Sequence, residues 1–574
     1  MGTVLAMSRK KRRQPDPQQQ SLSPSVDVEG KLQQAISFYQ LGQLQQAEQI
    51  CQQILRDNSQ HAAALHLLGV IAHQIGDYRI ATSLISQAIE IDPNRSSFFY
   101  NLGNVLKKQG RLEESIQAYQ QAIHIQSNHP ETYNNLGVSL QEQGKLEESI
   151  RAYQQAIRIR PGDADAYSNL GAALQGQKRL EESIQAYQKA LEIQPNHLEA
   201  YNNLGVVLKE QGRLEESIRA YQQAICIWPN HADAYSNLGN ALQEQGRLEE
   251  SIQAYQKALE IQPQFAEAYY NLGNVLQGQG RLEESIQAYQ KALGIQPDYA
   301  DAHKNLSLTL LLKGNLSQGW KEYEWRLKCD DIISKKINFP QPAWDGIHLS
   351  DKSILVWTEQ GIGDEIMFAS ILSTLSQMAE KIIVECNRRL VSLFQRSFPQ
   401  IQFFSRQNLP HPHLLDKNID YQMPMGSLGQ WLRTDEDSFK QSKQPYLIAC
   451  ANRPAKIRKK YQQLAKGRML VGISWKSTGI NQRRALLKST VLEDWVSILS
   501  QQDCYFINLQ YGDVEEELEQ FQQQTDLMIY QDEEIDSLQN LDDFAAQVSA
   551  LDLVISTSNT TVHMAGALGK QVWT

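Results

Sequence analysis

No C-x-x-C pair occurs among the six cysteines (Cys51, Cys226, Cys329, Cys386, Cys450 and Cys504), so the chain offers neither a disulfide framework nor a cysteine-based zinc site. Scattered thiols of this kind fit burial in a reducing compartment. Long apolar runs are missing too: no stretch of about 18 apolar residues is present, which excludes a membrane-spanning helix. Basic charge is also in short supply. The 55 Lys and Arg against 65 Asp and Glu leave a net charge of −10, which argues against a general nucleic-acid partner. The one dense basic run, Arg9 to Arg13, leads into a Pro/Gln/Ser stretch ending near Pro24, and no apolar h-region comes after it. Residues 1–27 therefore read as a solvated, disordered tail. The expectation is a cytoplasmic protein without a membrane span.

What the chain does have is repetition. The triplet Asn-Leu-Gly recurs with its glycine at 103, 137, 171, 205, 239 and 273, every 34 residues. A period of that length means stacked helix–turn–helix units, because one unit cannot bury its apolar face alone. In the unit Ser96–His129, Phe99, Leu102, Gly103 and Leu106 form one face of a first helix, and Gly110 makes the turn. Ser115, Tyr119 and Ala122 face it from a second helix. Prolines at 161, 195, 229, 263 and 297 stop the second helices. Over residues 28–328 this pattern resembles the tetratricopeptide repeat, with serine where alanine is commoner. Ala35 and Ser307 occupy the glycine slot at the two ends, as capping units do.

One position of the first helix is not called for by packing. Asn101, Asn135, Asn169, Asn203, Asn237, Asn271 and Asn305 lie roughly 150° from the centre of the packed face, pointing into the concave groove. A carboxamide carries a donor and an acceptor side by side and can clamp a peptide backbone. The ladder is similar to the one in O-linked N-acetylglucosamine transferases, a resemblance that implies a protein or peptide partner. A plain solvated helix face explains the same spacing, since RLEESIQAYQ recurs verbatim from 111, 179, 247 and 281.

The repeat ends in a tryptophan-rich helix, Leu316 to Arg326, read as packing against the neighbouring domain, to which a linker at 329–352 leads. From Ser353 short β-branched runs alternate with helices: strands at 353–358, 381–386, IQFF and IDYQM, then 471–475, 505–510, 552–558 and a final QVW. That grammar predicts parallel sheets with crossover helices in two lobes, 353–467 and 468–574. The arrangement resembles the two-lobed, Rossmann-like GT-B glycosyltransferases, with ligands at the strand ends facing the cleft. The chain closes on Trp573-Thr574, where such enzymes continue, so a C-terminally truncated second lobe is expected.

Three constellations fall at those strand ends. Ser556 to Gly569 runs from a strand through small polar residues into a helix, where free N–H groups favour an anion and Asn559, Thr560, Thr561 and His563 add donors. This resembles the nucleotide-diphosphate-sugar motif of heptosyltransferase-like enzymes, except that Ser558 stands where those often have aspartate. A helix N-cap and an ordinary half-buried histidine explain the same residues. Lys476, Arg483, Arg484 and Lys488 come after the strand at 471–475; the resemblance implies that a lysine seven residues before Trp495 neutralises the diphosphate. A solvated basic loop is the alternative. Gly361-Ile-Gly-Asp364 lies just past the first strand of the other lobe, and the resemblance makes Asp364 the candidate catalytic base, with Glu359 as fallback carboxylate. Asp364 as a helix cap fits equally. His411 and His413 flank a proline with no companion ligands, and no metal or cofactor is expected. These residues imply transfer of a sugar from a nucleotide sugar to a hydroxyl acceptor recruited by the solenoid. The alternative is a non-enzymatic scaffold with a decayed second half.

Overall fold

The computed structural model describes residues 24–330, 338–440, 445–477 and 489–574. Its contacts group into two units, residues 1–263 and 264–574, each described by itself.

The first unit is a stack of helical hairpins. A first helix such as Ala164–Gly176 pairs with a second such as Leu180–Ile193, and first helices of successive repeats also touch one another. The repeated glycine is explained by one contact. A β-carbon at Gly171 would lie 2.8 Å from Tyr187 Cε1, so only glycine lets the ring of the second helix seat against the first. The serine that replaces the commoner alanine is satisfied in turn: Ser183 Oγ donates to the Gly171 carbonyl at 2.7 Å. In most repeats the second helix stops one residue ahead of proline. Gln194, before Pro195, is extended at φ −128°, ψ 90°, the conformation the pyrrolidine ring favours in its predecessor, and Gln126, before Ser127, adopts it as well. The buried stripe of Ser96–Lys108 corrects the sequence reading. Phe98 and Val105 are buried with Gly103 and Leu106, whereas Phe99 and Leu102 are half-buried. A first helix that meets neighbours on several sides buries more than one face.

The second unit opens with two more hairpins, Ala266–Gly278 with Leu282–Ile295 and Ala300–Leu312 with Leu316–Tyr323, then a 3₁₀ turn, Glu324–Lys328. Two parallel sheets come next. In the first, β1 (Ser353–Trp357), β2 (Lys381–Cys386), β3 (Gln402–Ser405) and β4 (Tyr421–Pro424) lie in the order β3-β2-β1-β4. In the second, β5 (Met469–Ser474), β6 (Cys504–Asn508), β7 (Ile529–Tyr530), β8 (Leu553–Ser556) and β9 (Gln571–Trp573) lie in the order β7-β6-β5-β8-β9. The near-continuous apolar runs suit strands covered on both faces. Only β7, two residues long, is too short to stand out in the sequence.

A single apolar core joins one face of each sheet to the intervening helices and takes in Trp320 and Tyr323 of the last hairpin. Trp320 Nε1 donates to the Arg433 carbonyl at 2.8 Å, and its ring covers Gly429, where a β-carbon would meet it at 2.7 Å. The tryptophan-rich helix is therefore packing, as its composition predicted. Beside it Arg326, 1% exposed, donates to Glu359 Oε1 at 2.8 and 3.1 Å and to Ser427 Oγ at 2.8 Å.

Candidate functional site

The asparagine ladder lies on the first helices, half-buried at every rung. Its side chains are not idle. Asn135 Nδ2 donates to Asn104 Oδ1 at 2.9 Å, and Tyr119 OH donates to that same oxygen at 2.6 Å. Asn305, Asn274 and Tyr289 repeat the triad, both bonds at 2.7 Å. Asn169 and Asn237 donate to Asn134 and Asn202, each at 3.1 Å, and Asn101 meets His66 Nε2 at 2.8 Å. The expectation that packing makes no use of these residues is thus corrected. Neighbouring first helices lie close enough for one rung's amide to reach the previous repeat, a lateral distance that the phase along a single helix does not report. A polar recess of about 480 Å³ beside Asn134 and Asn135 is also lined by Tyr100, Glu131, Arg160 and Asp163.

In the second unit two of the three constellations come together. The helix Ile362–Ala369 starts at the end of β1, and the helix Thr560–Ala567 starts at the end of β8. A β-carbon on Gly363 would stand 3.2 Å from His563 Cδ2 and 3.4 Å from Thr560 Oγ1. Glycine at 363 therefore lets the two helix starts approach, each with its first N–H groups and positive dipole end. Asp364 is half-buried in the first turn, and its Oδ2 accepts from Gly361 N–H at 3.2 Å, closing the helix start from within. At the ends of β1 and β4, Thr358, Glu359, Gln360, Asp364, Glu365 and Met425 pack together and leave no room for a water molecule between them. The chain reverses its strand order between β1 and β4, where open parallel sheets take their ligands. Glu359 does not serve as a spare base, because its carboxylate is bound to buried Arg326.

The remaining candidates on the second sheet have internal partners. Asn559 is 6% exposed; its Nδ2 donates to Ser474 Oγ at 2.8 Å and the Lys476 carbonyl at 3.1 Å, while Oδ1 accepts from Thr561 N–H at 2.9 Å. That is an N-cap which ties β5 to β8, and it leaves the carboxamide no free donor. Lys476 Nζ pairs with Glu517 at 2.6 Å. Thr561 Oγ1 is buried without a hydrogen-bond partner, while Thr560 and His563 are half-buried and Ser558 is exposed. Arg483, Arg484 and Lys488 lie outside the described residues. His411 and His413 stack at 5.3 Å beside Phe404. Among the described residues no group of three or more His, Cys, Asp or Glu side chains is disposed to hold a metal. No described helix is long and apolar enough to cross a membrane.

Sequence reasoning missed an acidic cluster at the end of the first sheet. Glu385 on β2 is 1% exposed, and neither carboxylate oxygen has a hydrogen-bond partner. Burial pushes its carboxyl up to about 7, with Glu365 adding to the rise and Arg406 opposing it. Arg406, just past β3, donates to Glu365 Oε1 at 2.6 Å and to Thr358, while its Nε is unpartnered. Glu365 also accepts from Asn387 N–H at 2.8 Å. The one signal in the sequence was an acid inside the apolar run KIIVEC.

Comparison with known proteins agrees on the helical repeats. The family described as Cilia and flagella-associated protein 70 C-terminal domain matches residues 12–203; that described as TPR repeat matches 207–246 and 240–280; Tetratricopeptide repeat matches 266–299. Protein FlbA of Caulobacter vibrioides is 32% identical over 267 residues, 44% of this chain and 44% of FlbA, so the match spans less than half of that relative. Among solved structures, MamA is 27% identical over 28% of this chain and 95% of its own, at a TM-score of 0.27. YrrB, titled a TPR protein with an unusual peptide-binding site, is 24% identical over 33% of this chain and 96% of its own, at 0.29. This chain therefore carries a tetratricopeptide solenoid and, beyond it, a region of parallel sheets.

Proposed function

We propose that the chain is a nucleotide-sugar-dependent glycosyltransferase of GT-B type whose solenoid recruits a protein or peptide acceptor. The observation that carries this reading is the meeting of Gly363 with Thr560 and His563. Two helix N-termini, one from each sheet, converge there, and converging N–H groups suit a diphosphate. Thr560 and His563 border that point, and Arg484 and Lys488 belong to the same reading from sequence alone. Asp364 is the residue after Gly363, in the first turn of the same helix, near the reversal of strand order. In the proposed step the acceptor hydroxyl attacks the anomeric carbon and gives its proton to Asp364. The glycosidic bond to phosphate breaks, and the nucleoside diphosphate leaves with the electron pair, its charge held by the helix starts.

Calorimetric titration with a nucleoside diphosphate, without divalent metal, tests the reading. Thr560→Val and His563→Ala should each weaken binding by roughly 1–3 kcal/mol. Asp364→Asn should keep that affinity while losing ~10²–10⁴-fold in sugar transfer. A second reading, a protein-interaction scaffold without catalysis, draws on Asn559 and Lys476, whose polar groups are already engaged within the lobe. It prevails if the wild-type protein binds no nucleoside diphosphate.

A further inference from the structure

Two carboxyls and one guanidinium meet at the end of the first sheet, and their hydrogen bonds are shared unequally. Glu365, 2% exposed in the first turn of the helix Ile362–Ala369, accepts from Arg406 at 2.6 Å and from Asn387 N–H at 2.8 Å. Glu385 is as deeply buried, yet neither of its oxygens has a partner. Its neighbours in register bring it no donor: Trp357 on β1 gives its ring N–H to Gln422, and Phe404 on β3 has none to give. Arg406 is fixed by its backbone N–H, which donates to the Cys386 carbonyl at 2.7 Å, and its Nε is buried without a partner. An unused donor and an unused carboxyl thus stand in one cluster. The charges that act on Glu385 are Arg406, which attracts, and Glu365, which repels. Burial keeps the adjoining Cys386 thiol neutral, Arg389 donates to the Leu538 carbonyl, and His411 and His413 stack on Phe404. Burial raises both carboxyls, but the donors on Glu365 favour its charged form, so the proton resides on Glu385.

We propose that Glu365, Glu385 and Arg406 form a proton-operated switch. With Glu385 protonated, Arg406 belongs to Glu365 and Thr358. Once Glu385 gives its proton to water, the guanidinium turns its free Nε toward Glu385 and loosens its hold on Glu365. One cation then serves two carboxylates through different edges of its planar fork. The change takes place in the range where Glu385 titrates, at about 7. Glu365 directly follows Asp364, so the switch acts on the first turn of the helix Ile362–Ala369, where Gly363 faces Thr560 and His563. The arrangement at lower pH is the tighter one.

The test uses the full chain at pH 6 and pH 8.5, with Glu385→Gln as the variant that cannot ionise. Hydrogen exchange of the Asn387 amide, which Glu365 holds, is followed by mass spectrometry with fragmentation to single residues. Its rate in the wild type divided by that in Glu385→Gln should be one at pH 6 and about three-fold or more at pH 8.5, as Glu365 lets go more often. The intrinsic pH dependence of exchange cancels in that ratio. The same ratio for Val384, in the middle of β2, should stay at one. Arg406→Met gives an independent reading. It should lower the melting temperature equally in wild type and in Glu385→Gln at pH 6, and by about 2–4 °C more in wild type at pH 8.5, where Glu385 loses its counter-ion. A ratio of one for Asn387 at both pH values overturns the switch, as does an equal rise at Val384, which marks general loosening of the sheet. Equal costs of Arg406→Met in the two backgrounds at pH 8.5 overturn it as well, because Arg406 then never reaches Glu385.

Discussion

Gly103 and Tyr119 touch so closely that a β-carbon on the glycine would lie 2.6 Å from Cε1 of the ring. The same contact recurs at Gly137–Tyr153, Gly205–Tyr221, Gly239–Tyr255 and Gly273–Tyr289, at 2.6 or 2.7 Å. Gly103→Ala should therefore overpack a seam that has no slack, at a cost of about 1–3 kcal/mol. Thermal or urea melts monitored by circular dichroism measure it; an unchanged midpoint would show that the ring can shift freely.

Lys178 predicts the opposite sign. It holds φ 61° at a turn where Gly110, Gly144, Gly212, Gly246 and Gly280 stand in the neighbouring repeats. A side chain in that left-handed conformation costs about 1–2 kcal/mol relative to glycine. Lys178→Gly should raise the midpoint of unfolding by part of that amount, the rest being lost to the freer unfolded chain.

The buried pair of Arg326 and Glu359 should behave as an all-or-nothing unit. Removing the carboxylate in Glu359→Ala leaves a guanidinium that is 1% exposed with Glu324 as its remaining ion-pair partner at 3.0 Å, and up to about 3–5 kcal/mol of stability should go with it. The double variant Arg326→Met with Glu359→Leu should recover most of the loss. Chemical denaturation of the three proteins decides between this account and a merely peripheral ion pair.

Glu385 sets a pH dependence. Its carboxyl ionises near 4.5 when unperturbed and at about 7 in the folded protein, so the native state keeps a proton that the unfolded chain gives up. Stability from this group is full below pH 4.5 and falls as pH rises through 7, by on the order of 3 kcal/mol in all. Glu365 and Arg406 face the same site, and both remain in Glu385→Gln. That variant should flatten the curve between pH 5 and 8, measured by urea unfolding across that interval. A wild-type slope that survives the substitution would assign it elsewhere.

How much of the molecule the sequence disclosed depends on the range of the forces involved. Strands and hairpins were legible because their signals are local: KIIVEC is apolar almost throughout, and Pro195 acts on Gln194 next to it. The pairing of Gly363 with Thr560 was not, since it joins residues almost two hundred positions apart through the packing of two sheets. Asn559 shows the limit most clearly. Its place before a helix was visible, but its bonds to Ser474 and Lys476 depend on β5 lying beside β8. The engagement of the asparagine rungs was hidden for a related reason, being set by the lateral spacing of helices from different repeats.

The seam between Gly and Tyr and the bond from Ser to Gly recur with the same partners from repeat to repeat, which makes the repeats exchangeable parts. Excising or inserting one block of 34 residues between equivalent turns leaves both contacts whole, because each lies within a single hairpin. Array length is then a quantity that can drift by whole blocks at small energetic penalty, while a change of a few residues within a block disturbs every partner at once. The segment that starts at 111, 179, 247 and 281 is identical in all four places, so a block boundary set there meets the same residues on either side.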